Sequence, residues 1–309
     1  MTAYAIEAEN VVKRFGDFTA IEDVRLQIPK GSIYGFLGPN GCGKSTTIRV
    51  LTGLLHPTSG QVKVLGLDIP RESERLRLKI GYMTQKFSLY DDLSVEENLQ
   101  FIGQIFGMGH RQLRQRLNEQ LQTYGLDQRR KQRVSGMSGG QKQRLSLAAA
   151  TMHHPELLFL DEPTSAVDPE NRREFWEQLF DLSAQGTTIL VTSHYMDEAE
   201  RCHRLAIMDS GRIRADGEPE QLMRDMGVHV VEVRAQDLRG LKEHLLTTLP
   251  QIRSAAQLGI RLRVLIEQDV AAPLAWLKAQ VPTLTDAEIA VVRPSLEDVF
   301  VSVTGEKRQ

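Results

Sequence analysis

Apolar and polar side chains alternate over residues 4–15 and again over 20–28, about a Gly16-Asp17 turn. That is the period of half-buried antiparallel strands. Three short runs are continuously apolar or nearly so: Ser32-Ile33-Tyr34-Gly35-Phe36-Leu37, Leu157–Leu160 and Thr187–Thr192. They are too short for helices and read as strands buried on both faces. Residues 61–65, after the Pro57-Thr58-Ser59-Gly60 turn, and 79–84, ending at Gln85, predict two more strands. Helical spacing runs from Ser45 to Leu55, returns from about Ser94 to Tyr124 as a segment begun at Ser94 and a charged amphipathic helix over 110–124, resumes at Ser138 and fills 169–184. Ser94 with Glu97 three residues on makes a capping pattern. Strands alternating with helices predict an α/β chain: a two-sided parallel sheet, an antiparallel sheet and a helical insertion at about 94–134.

The pattern changes after Gly227. Strand 228–234, helix 237–248, strands 251–257 and 260–266, helix 271–280 and strand 285–292 follow in the order β-α-β-β-α-β, that of a ferredoxin-like sandwich. A last helix is predicted from Ser295, with Asp298 completing its capping pattern. The expected division is a domain over 1–226 and a smaller α+β domain over 227–309, for which 309 residues suffice. The second segment carries no metal-ligand cluster, nucleophile–base pair or phosphate loop. It reads as an accessory or regulatory module, with a packing or dimerisation extension as the alternative.

Composition narrows the function. Net charge is −2 with acids and bases interspersed, which is not the footprint of a duplex-DNA binder. No run approaches the 18 apolar residues of a membrane span. The opening Met-Thr-Ala-Tyr-Ala-Ile-Glu lacks the basic and apolar regions of a signal peptide, so a cytoplasmic chain is expected. Cys42 and Cys202 are the only cysteines, which fits a reducing compartment. Cys42 reads as a small filler within a tight loop rather than a redox switch.

That loop is Gly38-Pro39-Asn40-Gly41-Cys42-Gly43-Lys44-Ser45-Thr46, a G-x-x-x-x-G-K-S sequence between a buried strand and a helix. Its glycines let backbone N–H groups face a polyphosphate. Lys44 reaches the β- and γ-phosphates, the Ser45 hydroxyl sits on Mg²⁺, and the helix N-terminus adds positive potential. Four further signals follow. Asp161 and Glu162 end an apolar strand, the first suited to hold Mg²⁺ through water and the second to polarise an attacking water. Ser138-Gly139-Gly140-Gln141 opens a helix with a second anion site that one P-loop does not require. Gln85 closes a strand as a Mg²⁺ or water ligand would, and His194 ends another where α/β sheets bind ligands. Other histidines, among them His153, His154 and His203, fit no zinc spacing.

Over residues 4–225 these features resemble, in the family's order, the ATP-binding subunits of ABC transporters, down to the Ser165–Asp168 loop. The resemblance implies a P-loop NTPase of ABC type, with a mixed-sheet core, an antiparallel β subdomain and a helical insertion. It also implies a head-to-tail homodimer or pseudo-dimer enclosing ATP. Each nucleotide would lie between the P-loop of one subunit and the Ser138/Gly140 signature of the other, with Phe15 stacked on adenine and Asp168 acting across the interface. The family more often has tyrosine at position 15 and leucine at positions 137 and 167, where this chain has phenylalanine, methionine and valine. Two shorter stretches, Phe87–Ser94 and Arg293-Pro-Ser-Leu-Glu-Asp-Val-Phe300, look like subunits powering ABC-2 type multidrug, polyketide or polysaccharide exporters. Such subunits pair with separately encoded permeases at the inner face of the cell membrane, and no nucleic-acid partner is expected. Two competing readings are a soluble ABC ATPase acting on ribosomes or nucleic acid, and a binding-only module with structural nucleotide. The first generally carries two ATPase domains or a long coiled-coil insertion, neither of which is present. Glu162 and His194 count against the second.

Overall fold

The computed structural model describes residues 3–165, 167–282, 284 and 288–304. The chain forms two compact units, residues 1–213 and 214–309. The first opens with β1 (Tyr4–Phe15), β2 (Phe18–Pro29), β3 (Ile33–Leu37), α1 (Lys44–Leu51), β4 (Ser59–Val64), β5 (Leu67–Ile69), α2 (Ser73–Arg77) and β6 (Ile80–Met83). Two helices make the insertion, α3 (Val95–Ile105) and α4 (His110–Thr123), followed by α5 (Gly139–Ala150) and β7 (Leu157–Asp161). Then come α6 (Pro169–Ala184), β8 (Thr188–Ser193), α7 (Met196–Ala199), β9 (Arg204–Asp209) and β10 (Arg212–Gly217), the last running across the division.

Two sheets organise this unit. β1 pairs with β2 and β4 antiparallel, in the order β2-β1-β4-β5, and Phe15 faces Phe18 across the tight Gly16-Asp17 turn. The larger sheet runs β10-β9-β3-β8-β7-β6, with parallel pairing from β9 through β6. Its central strands β3, β7 and β8 are buried along their whole length, because both faces are covered. Alternation decides which core each side chain joins. Leu157, Phe159 and Leu190 meet α1 and the antiparallel sheet, while Leu158, Leu160, Ile189 and Val191 meet α5, α6 and the insertion.

The insertion is two helices, the segment capped by Ser94 and the amphipathic helix expected over 110–124. Gly107, at φ +72°, breaks the helical run, and Ser94 caps α3 in a complete box with Glu97. Backbone bonds close its neck: Val95 N–H donates to the Gln132 carbonyl (3.0 Å), Glu96 N–H to Arg130 (3.0 Å) and Val134 N–H to Leu93 (3.0 Å). Buried Asn98 pins the loop before it, donating to the carbonyls of Tyr90 and Ser94 and accepting from the Tyr90 N–H.

In the second unit α8 (Pro219–Arg224) precedes β11 (Val228–Val233), α9 (Leu238–Thr248), β12 (Ile252–Leu258), β13 (Arg261–Glu267), α10 (Pro273–Gln280), β14 (Ile289–Val292) and α11 (Leu296–Thr304). The sheet order is β12-β13-β11-β14, all antiparallel, over a core including Val231, Leu245, Val264 and Leu277. The predicted strand 285–292 is seen as β14; residues 285–287 lie outside the described residues. Asp298, bound to Arg263 and to the Ser295 N–H (2.7 Å each), secures the start of α11. Among the described residues no helix is long and apolar enough to cross a membrane.

Candidate functional site

Strand register assembles the site. Leu37 pairs with Ser193 and Asp161 with Thr192, so β3, β8 and β7 end side by side. The residues that follow, Gly38, Glu162 and His194, therefore emerge together at the carboxyl edge of the sheet, though they are far apart in the chain.

The loop from Gly38 to Thr46 turns through Gly41 (φ +81°) and Gly43 (φ +109°), backbone open to glycine and strained for other residues. It is buttressed from behind. Gly211 N–H donates to the Cys42 carbonyl (2.9 Å), and a Cβ on Gly38 would lie 2.3 Å from the Met208 carbonyl oxygen. Asn40 and Gly41 stand exposed at the crest, with Pro39, Ser45 and Thr46 half-buried. The Cys42 side chain is buried and its thiol is pushed up by that burial, against the pull of Lys44, so it fills space beside Gly38 as a neutral group. Lys44, buried at the start of α1, donates to the carbonyls of Gly38 (2.7 Å) and Pro39 (3.0 Å). Its Nζ lies 3.4 Å from Glu162 Oε1.

Two carboxylates with different partners sit opposite. Asp161 Oδ1 accepts from Ser45 Oγ (3.0 Å) and Thr192 Oγ1 (2.9 Å). The Thr192 hydroxyl also accepts the Glu162 N–H (2.8 Å), so one side chain fixes both acids. Glu162 has φ +47°, a left-handed backbone uncommon outside glycine, asparagine and aspartate, and it marks local strain at the site. Its Oε2 accepts from Gln85 Nε2 (2.9 Å) and lies 3.7 Å from His194 Nδ1. Lys44, Ser45, Gln85, Asp161, Glu162 and His194 are thus one connected set. Ser45, Asp161 and Gln85 supply the hard oxygen donors that suit Mg²⁺.

Other predicted residues close on themselves. Ser138 caps α5, accepting from the Gln141 N–H while Gln141 Oε1 accepts the Ser138 N–H (3.0 Å). Asp168 caps α6 and accepts from the N–H (3.1 Å) and Nδ2 (2.6 Å) of Asn171. The Asn171 side chain holds the Asp168 carboxyl below its ordinary range. Gly139 is exposed next to Ser138, and Gly140 is packed so that a Cβ would lie 2.7 Å from Asn171 Cγ, bringing the two caps together. Ala166, within the Ser165–Asp168 loop, lies outside the described residues. Phe15, 49% exposed at the β1–β2 turn, carries Lys13 Nζ 4.9 Å above its ring. Lys142, one position past Gln141, pairs with Asp91 (2.6 Å) and lies 4.9 Å from the Phe87 ring, tying α5 to the segment after Gln85.

The sequence places Thr192 at the end of a buried run but does not disclose its joining role. The available signal was position: a hydroxyl two residues before His194, directly after the apolar run Ile189–Val191.

The chain matches the protein family described as ABC transporter over residues 21–165. It is 46% identical over 217 residues to the probable multidrug ABC transporter ATP-binding protein YbhF of Escherichia coli (strain K12). That match takes in 70% of this chain and 38% of the relative, so the chain spans well under half the relative's length. Two others match along almost their whole length. Daunorubicin resistance ATP-binding protein DrrA3 of Streptomyces coeruleorubidus is 34% identical over 315 residues, covering 100% of this chain and 98% of that protein. Nod factor export ATP-binding protein I of Cupriavidus metallidurans is 37% identical over 310 residues, covering 99% of each. Among solved structures, a dimeric post-hydrolysis ATP-binding cassette bound to ADP and Pi superposes with a TM-score of 0.63 at 28% identity. It covers 69% of this chain and 98% of that one.

Proposed function

The chain belongs to the ABC transporter ATP-binding family, whose members are ATPases, and from that premise we propose that it is the motor subunit of an ABC-2 type exporter. It binds and hydrolyses ATP and drives a separate membrane permease through closure of an ATPase dimer. The observation carrying this reading is the convergence of Lys44, Glu162, Gln85 and His194 with the Asp161–Ser45–Thr192 group at one sheet edge.

ATP lies on the loop Gly38–Thr46 with adenine against Phe15. Lys44 leaves its loop carbonyls for the β- and γ-phosphate oxygens. Ser45, Gln85 and Asp161 would hold Mg²⁺, which would supply neutralising positive charge in the site. Glu162 accepts a proton as water attacks the γ-phosphorus and the bond to the ADP oxygen breaks. His194 steadies the transferring group, so catalysis is positioning and electrostatic stabilisation. Ser138, Gly139, Gly140 and Gln141 complete the site of a second copy, and Asp168 reaches across that interface.

A cleft of about 340 Å³ supports coupling to a permease. Met83, Thr84, Leu89, Ile102, Phe106 and His153 line it, between the end of β6 and α3. A permease helix docked there bears on the Gln85 segment, at the cytoplasmic face of the membrane. The DrrA3 and Nod factor export relatives support export. Residues 227–309 form an accessory domain.

The test joins phosphate release by the purified chain with affinity capture from detergent-solubilised membranes and mass spectrometry. The expected result is ATP-dependent phosphate release and a co-purifying polytopic membrane protein. Capture of ribosomes or nucleic acid alone would withdraw the exporter reading and leave the ATPase chemistry.

A further inference from the structure

Beside His194 lies a group of side chains that the proposed chemistry does not use. Glu198, on α7, is 1% exposed, so its carboxylate needs compensation. It accepts from Ser193 Oγ (2.6 Å) and from the Thr164 hydroxyl, and it lies 3.4 Å from Arg172 Nε. Thr164 follows Glu162 by two residues and Ser193 precedes His194. One buried carboxylate therefore gathers the chain just after Glu162 and just before His194. Ser193 Oγ also accepts the Tyr195 N–H (3.0 Å), which fixes the turn that carries His194.

Arg172 joins this group to the Asp168 loop. It sits in the first turn of α6, its N–H bonded to the Asp168 carbonyl (3.0 Å), and its Nη2 donates to the Val167 carbonyl (3.4 Å). Its guanidinium carbon lies 4.3 Å from the centre of the Tyr195 ring, within the range of a cation–π contact. The Tyr195 ring is 4.1 Å, centre to centre, from the His194 imidazole. The same guanidinium thus touches the loop of Asp168, the ring packed on His194 and the carboxylate behind both. Lysine could not do this, because it lacks the planar fork.

We propose that Arg172, acting through Tyr195 and Glu198, is a positioning residue that sets the His194 imidazole against Glu162 and makes that setting depend on the Asp168 loop. This rests on the ATPase reading above. A shift at Asp168, when a second copy arrives, is transmitted through Arg172 to His194 within the same chain.

The experiment uses the full chain and the variants Arg172→Met, Tyr195→Leu and Tyr195→Phe. Arg172→Met and Tyr195→Leu are expected to lower kcat about tenfold or more, with KM for ATP changed less than about threefold, as for a misplaced catalytic group. Tyr195→Phe keeps the ring and is expected to restore the rate. Tyr195→Leu leaves the Arg172–Glu198 pair in place, so it decides the matter if Arg172→Met fails to fold. A second readout needs no turnover: the His194 imidazole NMR resonance, assigned by its loss in His194→Gln, should move in Tyr195→Leu and Arg172→Met and stay in Tyr195→Phe. Wild-type kcat in Tyr195→Leu, or an unmoved His194 resonance, would overturn the proposal. Absence of phosphate release from the wild-type chain would instead overturn the ATPase reading, with the resonance still deciding the clamp.

Discussion

Glu162 and Asp161 are adjacent acids with separate surroundings. Asp161 faces two hydroxyls, while Glu162 faces an ammonium, an amide and an imidazole. As the proposed general base, Glu162 is expected to be indispensable for turnover and dispensable for nucleotide binding. Glu162→Gln should lower phosphate release by about 10²–10⁴-fold and leave ATP affinity near wild type. Fluorescent-nucleotide binding beside a phosphate-release assay measures both, and near-wild-type turnover would remove Glu162 from that role. These two acids were legible in the sequence because an apolar run ending in Asp-Glu downstream of a phosphate loop has few other uses. The Thr192 bridge, the left-handed backbone of Glu162 and the Arg172–Tyr195–Glu198 group were not legible. They depend on β8 lying beside β7 in one register, and periodicity does not say which strands are neighbours.

At the scale of elements, patterning reached most strands and helices of the first unit, since buried runs and caps are local signals. It missed β5, β9, β10 and the short α2 and α7, whose formation depends on neighbours more than on period. One tie between elements has a pH consequence. His153 donates through Nε2 to the Ile80 carbonyl of β6 (3.0 Å) and stacks on Phe106 at the end of α3 (3.6 Å between centres). Its Nδ1 is buried without a protein partner. A second proton would go there at a cost, and burial lowers the pKa from 6.5 to about 4. The unfolded chain therefore binds a proton that the native chain refuses between pH 6.5 and 4. Stability rises with pH across that window and is lost as pH falls through it. Allowing for solvent screening of a half-buried ring, the loss is about 2 kcal/mol. Urea unfolding at pH 7 and pH 4 should show this loss in the wild type and not in His153→Phe, which keeps the stack. Equal losses in both would remove His153 as the cause.

At the scale of the whole molecule, the P-loop set and the signature set are satisfied independently. Lys44 and Glu162 meet each other, while Ser138 meets Gln141 and Asp168 meets Asn171. Under the proposed dimer, each ATP needs the first set from one copy and the second from the other. Ser138→Arg is then expected to bind ATP without hydrolysing it, and Lys44→Ala to lose ATP binding. Each is expected to be inactive alone. A mixture forms heterodimers in which one composite site keeps both native halves, and phosphate release should return in part. A mixture as silent as its components would count against shared sites. The same separation bears on descent. After a gene duplication, one daughter can lose its phosphate loop and the other its signature without either loss being exposed to selection through folding, because neither motif holds the other in shape. Two such copies become obligate companions, each viable only while the other is inherited.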